Sequence, residues 1–295
     1  MTAAALRIGT RGSALALAQA RSVAQQLPTP TKLVPVTTAG DVDRARGDKS
    51  RWVGALETAL LAGAIDLAVH SAKDVPSELA DGTALAAAPR RADPHDVLVG
   101  ERALAHVREG ARVGTSAVRR RAQLLAVRPD LELCELRGNV DTRLAKRAAG
   151  EVDVLVLAGA GLDRLGRRHE AGATLLGDVF VPAPGQGVIA VQARTGSAAA
   201  EVAVAAGHAR TMAWLSGERT VVRELFASCH TPVGVHADSA RIRGFAGLPD
   251  GSQWLIDEVA IADGDIEAAA RELARRMLAA GVADLLRDAE AMAAR

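Results

Sequence analysis

The chain is organised around one stretch, Ala64-Ile65-Asp66-Leu67-Ala68-Val69-His70-Ser71-Ala72-Lys73-Asp74-Val75-Pro76. It begins as a short apolar run, which is typical of a buried strand. It then becomes polar, and Pro76 prevents a strand or helix from continuing. A buried strand that ends in Ser, Lys and Asp is how open α/β sheets place functional side chains at the carboxyl ends of their strands. Because Asp74 adjoins Lys73, we expect its carboxylate to stay ionised; a solvated turn is the alternative interpretation.

Length and composition indicate a globular chain of several domains. The 295 residues are long for one hydrophobic core, so two or three domains are expected. Apolar residues make up 49% and charged residues 24% of the chain, which is ordinary for a globular protein. No apolar run approaches the ~20 residues that span a bilayer, and the start of the chain lacks the pattern of a signal peptide. We therefore expect a cytoplasmic protein without a membrane partner.

Arginine dominates the basic residues. Of the 36 basic residues 32 are arginine and four are lysine, while the net charge is only +1. The guanidinium group binds carboxylates and phosphates through two parallel hydrogen bonds. A base-composition bias of the genome is the alternative source of this excess. A near-neutral chain with three Trp, three Phe and no Tyr argues against a nucleic-acid surface.

The chain has two cysteines, and their spacing matches no metal-binding motif, so no metal site is predicted. Cys134 lies in the alternating segment 131–136 and is expected to be a core residue. Cys229 lies in a turn-rich loop beside His230, which makes it a candidate reactive thiol. A structural cysteine is the alternative interpretation.

Strands and helices alternate in two successive blocks, which is typical of parallel sheets. In the first block the polar segment 39–51 is predicted to be a mobile loop. The predicted strands are 6–10, 32–38 and 64–70 in the first block, then 97–99, 131–136 and 152–158 in the second. The predicted helices are 14–27 and 52–61 in the first block, then 117–127 and 140–149 in the second.

Three junctions between a strand and a helix carry arginine: Arg11-Gly12-Ser13, residues 115–120 and Arg137-Gly138-Asn139. Helix N-termini bind anions through free backbone N–H groups and the positive end of the helix dipole. Arg119 and Arg120 lie in a first helical turn, where the dipole disfavours cations, and this predicts an external anion that neutralises them. Solvated surface arginines explain one junction but not the repetition, so we expect an anion-lined cleft between two α/β domains.

The last part of the chain has a different pattern. Residues 180–192 combine a proline- and glycine-rich turn with a following strand, which we interpret as a return crossing from the second block to the first. Beyond Cys229, strands are predicted at 233–237, 241–247 and 254–262. A long amphipathic helix is predicted at 266–286. This block is expected to form a small sheet with a helix on one face.

Several stretches, in order along the chain, resemble the porphobilinogen deaminase family, whose members are also called hydroxymethylbilane synthases. The stretches 70–76 and 136–140 are highly specific, and the resemblance covers nearly the whole chain. The matching stretches are 7–13 with 15–17 and Gln19, then 68–76, 113–116 with Arg119 and Arg120, 136–140 with 142–144, 158–166, 184–187, and Cys229 with 232–234.

This resemblance implies an α/β fold in three domains. Two α/β domains similar to those of periplasmic binding proteins hold the active site between them, and a small α+β C-terminal domain carries the cofactor cysteine. The expected boundaries are 1–90 with 187–207 for the first domain, 91–186 for the second and 208–295 for the third. The implied protein is a monomeric transferase of haem biosynthesis. It adds four porphobilinogen molecules head to tail, with loss of ammonia, to a covalent dipyrromethane and releases hydroxymethylbilane.

The resemblance also implies roles for individual residues. Cys229 forms the thioether to dipyrromethane, and Asp74 stabilises the cationic azafulvene left by ammonia loss and shuttles protons. Positions that resemble cofactor-binding positions of the family are Ser71, Lys73, Thr115, Ser116, Arg119, Arg120, Arg137 and Gly138. Positions that resemble substrate-binding positions are Arg11, Ser13, Gln19, Trp52, Arg143, Arg164 and Gln186. Since each pyrrole carries an acetate and a propionate, the growing chain is a polyanion that suits arginine.

The chain departs from the family pattern at two places. Beside the cysteine, Ala227-Ser228 replace Gly-Gly and His230 replaces Gln. In the loop, Ala39 replaces an arginine, segment 45–52 has lost one lysine, and Trp52 replaces the phenylalanine that stacks on the cofactor. These changes bear on loop closure and on the rate of chain elongation.

Two other functions are alternatives to this interpretation. A non-catalytic anion-binding protein of the two-domain periplasmic-binding type would have no use for Cys229. A degenerate paralogue would bind pyrroles but turn over poorly. The mass of the intact protein distinguishes the first alternative, and release of ammonia from porphobilinogen distinguishes the second.

Overall fold

A computed structural model describes residues 5–37, 50–228 and 231–293. Most of the predicted mobile loop 39–51, together with Cys229 and His230, lies outside the described residues. The chain divides into two compact units. The first contains Met1–Ala92 and Gly187–Met212, and the second contains Asp93–Gln186 and Ala213–Arg295.

The described residues form thirteen strands and nine α-helices, and strands and helices alternate only in parts of the chain. The strands are β1 (Leu6–Thr10), β2 (Thr31–Pro35), β3 (Leu67–Ser71), β4 (Thr83–Ala87), β5 (Asp96–Val99), β6 (Arg112–Gly114), β7 (Glu132–Cys134), β8 (Val154–Ala158), β9 (Ala171–Thr174), β10 (Ile189–Arg194), β11 (Val233–Ala237), β12 (Arg241–Gly247) and β13 (Trp254–Ala260). The helices are α1 (Ala14–Ala24), α2 (Ser50–Leu61), α3 (Val118–Val127), α4 (Val140–Ala148), α5 (Gly159–Arg164), α6 (Ala198–Ala203), α7 (Ala209–Glu224), α8 (Ile266–Ala279) and α9 (Val282–Ala293).

The first unit is built on a five-stranded sheet in the order β2-β1-β3-β10-β4. β1 runs parallel to β2 and β3, with Ile8 opposite both Leu33 and Leu67. β10 runs antiparallel to β3 and β4. The return crossing is confirmed, because β10 follows the second block and completes this sheet. The parallel arrangement predicted for the strands of the first block is confirmed for β1, β2 and β3, whereas the returning strand β10 enters in the reverse direction.

Alternation along β3 assigns its side chains to two different packing layers. Leu67 and Val69 belong to the apolar cluster that includes Val23 of α1. Ala68 belongs to the cluster of Leu56 and Leu60 on α2. Since side chains in a strand alternate with period two, His70 lies on the same face as Ala68, under α2.

The second unit contains a sheet with the same pattern of directions, in the order β7-β6-β8-β5-β9. β6 is parallel to β7 and β8, whereas β5 is antiparallel to β8 and β9. Leu124 of α3 packs on one face with Val113 and Val156. Leu144 of α4 and Leu162 of α5 belong to the cluster on the other face. Because β5 is antiparallel, its first residue lies at the edge where the parallel strands end.

The C-terminal part of the second unit is a three-stranded antiparallel sheet, β11-β12-β13. Leu273 and Met277 of α8 pack with Val235 and Ile242 of this sheet. The single helix predicted at 266–286 is wrong, because α8 ends at Ala279 and α9 begins at Val282. Gly281 between them has φ of +93°, a left-handed conformation that glycine adopts without steric cost.

The mixed α/β fold with a small α+β C-terminal part is confirmed by these three sheets. Within the described ranges, none of the helices has both the length and the apolar composition needed to cross a membrane.

Candidate functional site

A small pocket opens at the carboxyl edge of the first sheet. β1 and β3 are parallel, so the residues that follow both strands meet at this edge. The pocket brings together six of the predicted site residues from the first unit: Arg11, Ser13, Gln19, Trp52, Ser71 and Asp74. Lys73 belongs to the same turn as Asp74 but does not contribute to this lining.

Helix α1 is positioned by its N-terminal cap at the edge of the pocket. The predicted cap is confirmed, since the Ser13 hydroxyl accepts a hydrogen bond from the Ala16 amide at 3.3 Å. Further along the helix, the buried Gln19 donates from Nε2 to Ser71 Oγ at 2.9 Å. This bond connects α1 to the end of β3, where the catalytic candidate follows.

Arg11 and Trp52 form a pair at the pocket. The Arg11 guanidinium lies 4.6 Å from the centre of the Trp52 ring, which is a cation–π contact. Among the described residues, no acceptor is present for the buried indole nitrogen of Trp52. A buried donor beside a guanidinium suits a carboxylate ligand.

Asp74 is carried by a short 3-10 turn, Ala72–Asp74, immediately after β3. The Ala72 amide donates to the Val188 carbonyl at 3.0 Å, and the Val75 amide donates to the Ala72 carbonyl at 3.1 Å. The turn is therefore attached to the segment leading into β10. Its position places an ionisable carboxylate in a pocket that also contains a guanidinium, the combination predicted from the sequence.

In the second unit, the ends of β6 and α4 bring three predicted residues together. Arg143 donates from Nη2 to Ser116 Oγ at 2.8 Å. The neighbouring Thr115 hydroxyl accepts from the Ala117 amide at 3.2 Å, which orients the start of α3. These hydroxyls and the guanidinium form a polar group at the carboxyl edge of the second sheet.

Arg119 and Arg120 are buried, and they differ from the expectation. Both form ion pairs with Asp96 of the chain itself, at 2.7 Å and 2.8 Å, and this single carboxylate balances one of the two positive charges. Arg119 also donates to the Val181 carbonyl, and Arg120 to the Val156 carbonyl. The first residue of β5 therefore supplies one negative charge inside the fold, and an external anion stays a prediction for the remaining positive charge.

The carboxylate of Asp96 is the centre of this buried group. Gln186, predicted as a substrate residue, donates from Nε2 to Asp96 at 2.9 Å and to the Pro94 carbonyl at 2.6 Å. Burial raises the pKa of Asp96, but the charges and hydrogen bonds of Arg119 and Arg120 outweigh it and hold that pKa well below its usual range. Asp96 therefore stays ionised, and the buried group contains one carboxylate between two guanidinium groups.

The other predicted residues of the second unit have separate surroundings. Arg137 donates from Nε to Glu135 at 2.7 Å, and Gly138 has φ of +127° just before Asn139, which caps α4. Arg164 is the last residue of α5. Burial lowers its pKa to about 10, although the charge of Asp163 acts in the opposite direction. Arg164 therefore stays cationic near neutral pH.

The two cysteines have different outcomes. Cys134, expected in the core, is only half-buried at the end of β7, and burial raises its thiol pKa. This favours an unreactive thiol. Cys229, the residue on which the predicted attachment depends, lies outside the described residues.

From the sequence, no role was assigned to several polar residues: Asp96, His70, Gln192 and Glu57. Asp96 had a signal, since a carboxylate at the start of a fully buried strand needs a partner. His70 and Gln192 lie in strands as single polar residues among apolar ones, which is a weaker signal. Glu57 on α2 looked like an ordinary surface residue of an amphipathic helix.

Comparison with known proteins gives one consistent family. The chain matches the family described as porphobilinogen deaminase, dipyromethane cofactor binding domain, over residues 6–202. It matches porphobilinogen deaminase, C-terminal domain, over residues 214–279. The porphobilinogen deaminase of Deinococcus radiodurans is 42% identical over 302 residues, covering 95% of this chain and 97% of that protein. That of Thermus thermophilus is 42% identical over 295 residues, with the same coverage of both chains.

Solved structures resemble the chain only distantly. The second substrate binding domain of a putative amino acid ABC transporter from Streptococcus pneumoniae has a TM-score of 0.43 at 10% identity. It covers 76% of this chain and 100% of that one.

An α/β scaffold with an arginine- and carboxylate-lined pocket, matched by a cofactor-binding domain, defines an enzyme that carries its own organic cofactor. The matches over nearly the whole chain specify which one. The chain belongs to the porphobilinogen deaminase family, and it is a transferase of tetrapyrrole biosynthesis whose cofactor is dipyrromethane. The Trp52 indole beside Arg11 fits the carboxylates of such a pyrrole group.

Proposed function

We propose that this chain assembles four porphobilinogen molecules into hydroxymethylbilane, with Asp74 as its proton-transferring carboxylate. The family assignment supports the reaction. The observation that supports the residue is the position of Asp74 in one pocket with Arg11 and Trp52. A carboxylate there can offset the positive charge left on the substrate by ammonia loss and accept the proton that the ring loses on coupling.

The remaining residues of this pocket bind and orient the substrate. Arg11 supplies a guanidinium fork for a carboxylate, and Trp52 adds an indole N–H and an aromatic face. Ser13 and Gln19 hold α1 against the pocket, and Ser71 connects Gln19 to β3. Lys73 contributes a positive charge in the turn of Asp74.

The second unit contributes further carboxylate-binding groups. One polar group is formed by Thr115, Ser116 and Arg143. Further groups are Arg137 and Gly138, between β7 and α4, and Arg164 at the end of α5. Arg119 and Arg120 share the single carboxylate of Asp96, and they contribute the positive charge that this carboxylate does not balance. When bound, dipyrromethane supplies the pyrrole carbon to which the first substrate is joined.

Cys229 is the proposed attachment site, on the basis of its match to the family motif. We also propose the three-domain division at 1–90 with 187–207, 91–186 and 208–295. The separate β11-β12-β13 sheet within the second unit supports a distinct third domain. A cytoplasmic monomer is proposed from the resemblance.

The test is the mass of the intact protein combined with peptide mapping. We expect freshly purified protein to exceed its sequence mass by one dipyrromethane, carried on the peptide that contains Cys229. Cys229→Ser should lose this mass and the release of ammonia from porphobilinogen. Cys134→Ser, the matched control, should keep both. An unmodified Cys229 in a preparation that still releases ammonia would contradict the attachment site.

The family matches do not favour a non-catalytic anion-binding protein. A degenerate paralogue is tested separately, by the rate of ammonia release from the loaded protein. Cofactor loading without turnover would contradict the proposed reaction while leaving the attachment site intact.

A further inference from the structure

A chain of buried and partly buried hydrogen bonds extends from the Asp74 pocket along the α2 face of the first sheet. His70 Nε2 lies 3.1 Å from Gln192 Oε1. Gln192 Nε2 donates to Glu57 Oε1 at 2.8 Å and to Thr83 Oγ1 at 2.8 Å. His70 is 6% exposed and Gln192 is fully buried. The chain thus connects α2, β4, β10 and the end of β3.

The direction of every bond in this chain is determined by its neighbours. The Thr83 hydroxyl donates its proton to the Ala80 carbonyl at 2.7 Å, so its oxygen must accept from Gln192. The carboxylate of Glu57 also only accepts, and it receives the Ala80 amide at 3.0 Å. Both amide protons of Gln192 are therefore used, and its carbonyl oxygen faces His70. An oxygen there requires a donor, so His70 carries its proton on Nε2.

We propose that Glu57 and Gln192 fix His70 as the neutral Nε2–H tautomer and thereby make His70 a positioning residue for Asp74. This inference rests on the proposed role of Asp74. His70 directly precedes Ser71 and the turn Ala72–Asp74, and it lines the same pocket. A ring anchored through Gln192 to Glu57 holds the end of β3, and with it the turn, in one position.

Because a neutral His70 ring does not attract the Asp74 carboxylate, that carboxylate can interact with the cationic substrate. A protonated His70 beside the pocket would compete with the cationic substrate for the carboxylate. Burial lowers the pKa of His70 to about 4, against the hydrogen bond that His70 donates to Gln192 and the charges of Glu57 and Asp74, which raise it. His70 is therefore uncharged at neutral pH, in agreement with the bond directions.

The first test is the ¹⁵N NMR spectrum of histidine-labelled holoenzyme. His70→Gln identifies the His70 ring signals by their disappearance. We expect a protonated Nε2 and an unprotonated Nδ1 at neutral pH. In Gln192→Leu, which removes the acceptor, a second population protonated on Nδ1 should appear. A wild-type ring protonated on Nδ1, or a tautomer unchanged in Gln192→Leu, overturns the proposal. The wild-type measurement stands even if the Leu variant does not fold.

The second test separates positioning from general stability by steady-state kinetics. His70→Leu removes the donor to Gln192, and we expect kcat to fall at least about tenfold with KM within about twofold. His70→Gln places an amide N–H near the former Nε2 and should restore most of kcat. The exposed His106→Leu is the control and should leave both constants unchanged. An unchanged kcat in His70→Leu, or a loss in KM alone, overturns the proposal.

These tests fail independently of the proposed function. If the wild-type holoenzyme released no ammonia from porphobilinogen, the proposed function would fail, while the tautomer of His70 would still be decided by its NMR signals.

Discussion

Asp74 is the residue whose charge the proposed chemistry needs most. We expect Asp74→Asn to keep the fold, because asparagine has nearly the same size, and to lower kcat by about 10²–10⁴-fold, the contribution of a positioned acid–base group. Turnover and thermal unfolding are measured together. Asp81→Asn, an exposed change close in the chain, should leave turnover unchanged. Near-normal turnover in Asp74→Asn would assign the proton transfer to another group.

Phe226 adopts a left-handed backbone conformation, which is unfavourable for a residue with a Cβ atom. It follows α7 with φ of +52°, and its side chain is 89% exposed. Its amide donates to the Arg223 carbonyl, and the Ala227 amide donates to the Val222 carbonyl. These two bonds form a Schellman motif, whose left-handed position is normally glycine.

Replacing Phe226 by glycine should stabilise the protein. We expect Phe226→Gly to raise the free energy of unfolding by about 1 kcal/mol, because the left-handed conformation costs a residue with a Cβ about 1–2 kcal/mol and little apolar burial is lost. Denaturant unfolding measures the change. Phe226→Ala keeps the Cβ and serves as the control without this gain. Equal stability of the Gly and Ala variants would refute the strain.

At the scale of elements, the first turn of α3 is held to β5 by an ion cluster. Sequence reasoning predicts that removing Arg119 or Arg120 leaves the empty protein unaffected or slightly more stable, since cations are disfavoured there. The structure reverses this prediction. Arg120 donates two hydrogen bonds to the buried Asp96 and one to the Val156 carbonyl, so removing it leaves buried acceptors without these donors.

We therefore expect Arg120→Leu to lower the free energy of unfolding by about 1–3 kcal/mol. Chemical denaturation of the purified protein measures this loss. Arg121→Leu is the matched control on the same helix, where an exposed guanidinium contacts the Leu133 carbonyl, and it should cost less than about 1 kcal/mol. Equal effects of the two substitutions would show that the buried cluster contributes little.

At the scale of the whole molecule, burial of His70 makes stability depend on pH. Its pKa is about 4 in the folded chain and 6.5 as the reference value. Between these values the unfolded chain binds a proton that the folded chain does not bind. The contribution of neutral His70 to the free energy of unfolding is therefore complete above about pH 6.5. It is lost as the pH falls towards about 4, by about 1.4 kcal/mol per pH unit.

The loss of stability at low pH can be measured. Between about pH 7.5 and about pH 5, the unfolding temperature of the wild-type protein should fall further than that of His70→Gln, which lacks the titrating group. His106→Gln removes an exposed histidine and should keep the wild-type dependence. Parallel pH profiles for the wild-type protein and His70→Gln would show that His70 titrates normally.

The sequence by itself determined the local elements and the candidate residues at their ends. Ser13 at the start of α1 and the arginines after β1 and β6 were visible because caps, periodicity and charge are local properties. The specific motif around Asp74 determined the family, which the matched relatives confirm.

Only the tertiary structure decided how the polar groups pair. Asp96 meets Arg119 across 23 residues, and His70 meets Gln192 across 122. The returning strand β10 brings the latter pair together, and no periodicity within one segment reports such a crossing. Because the energy of a buried charge depends on its partner, the sequence identified Arg119 and Arg120 as important but did not identify Asp96 as their internal partner.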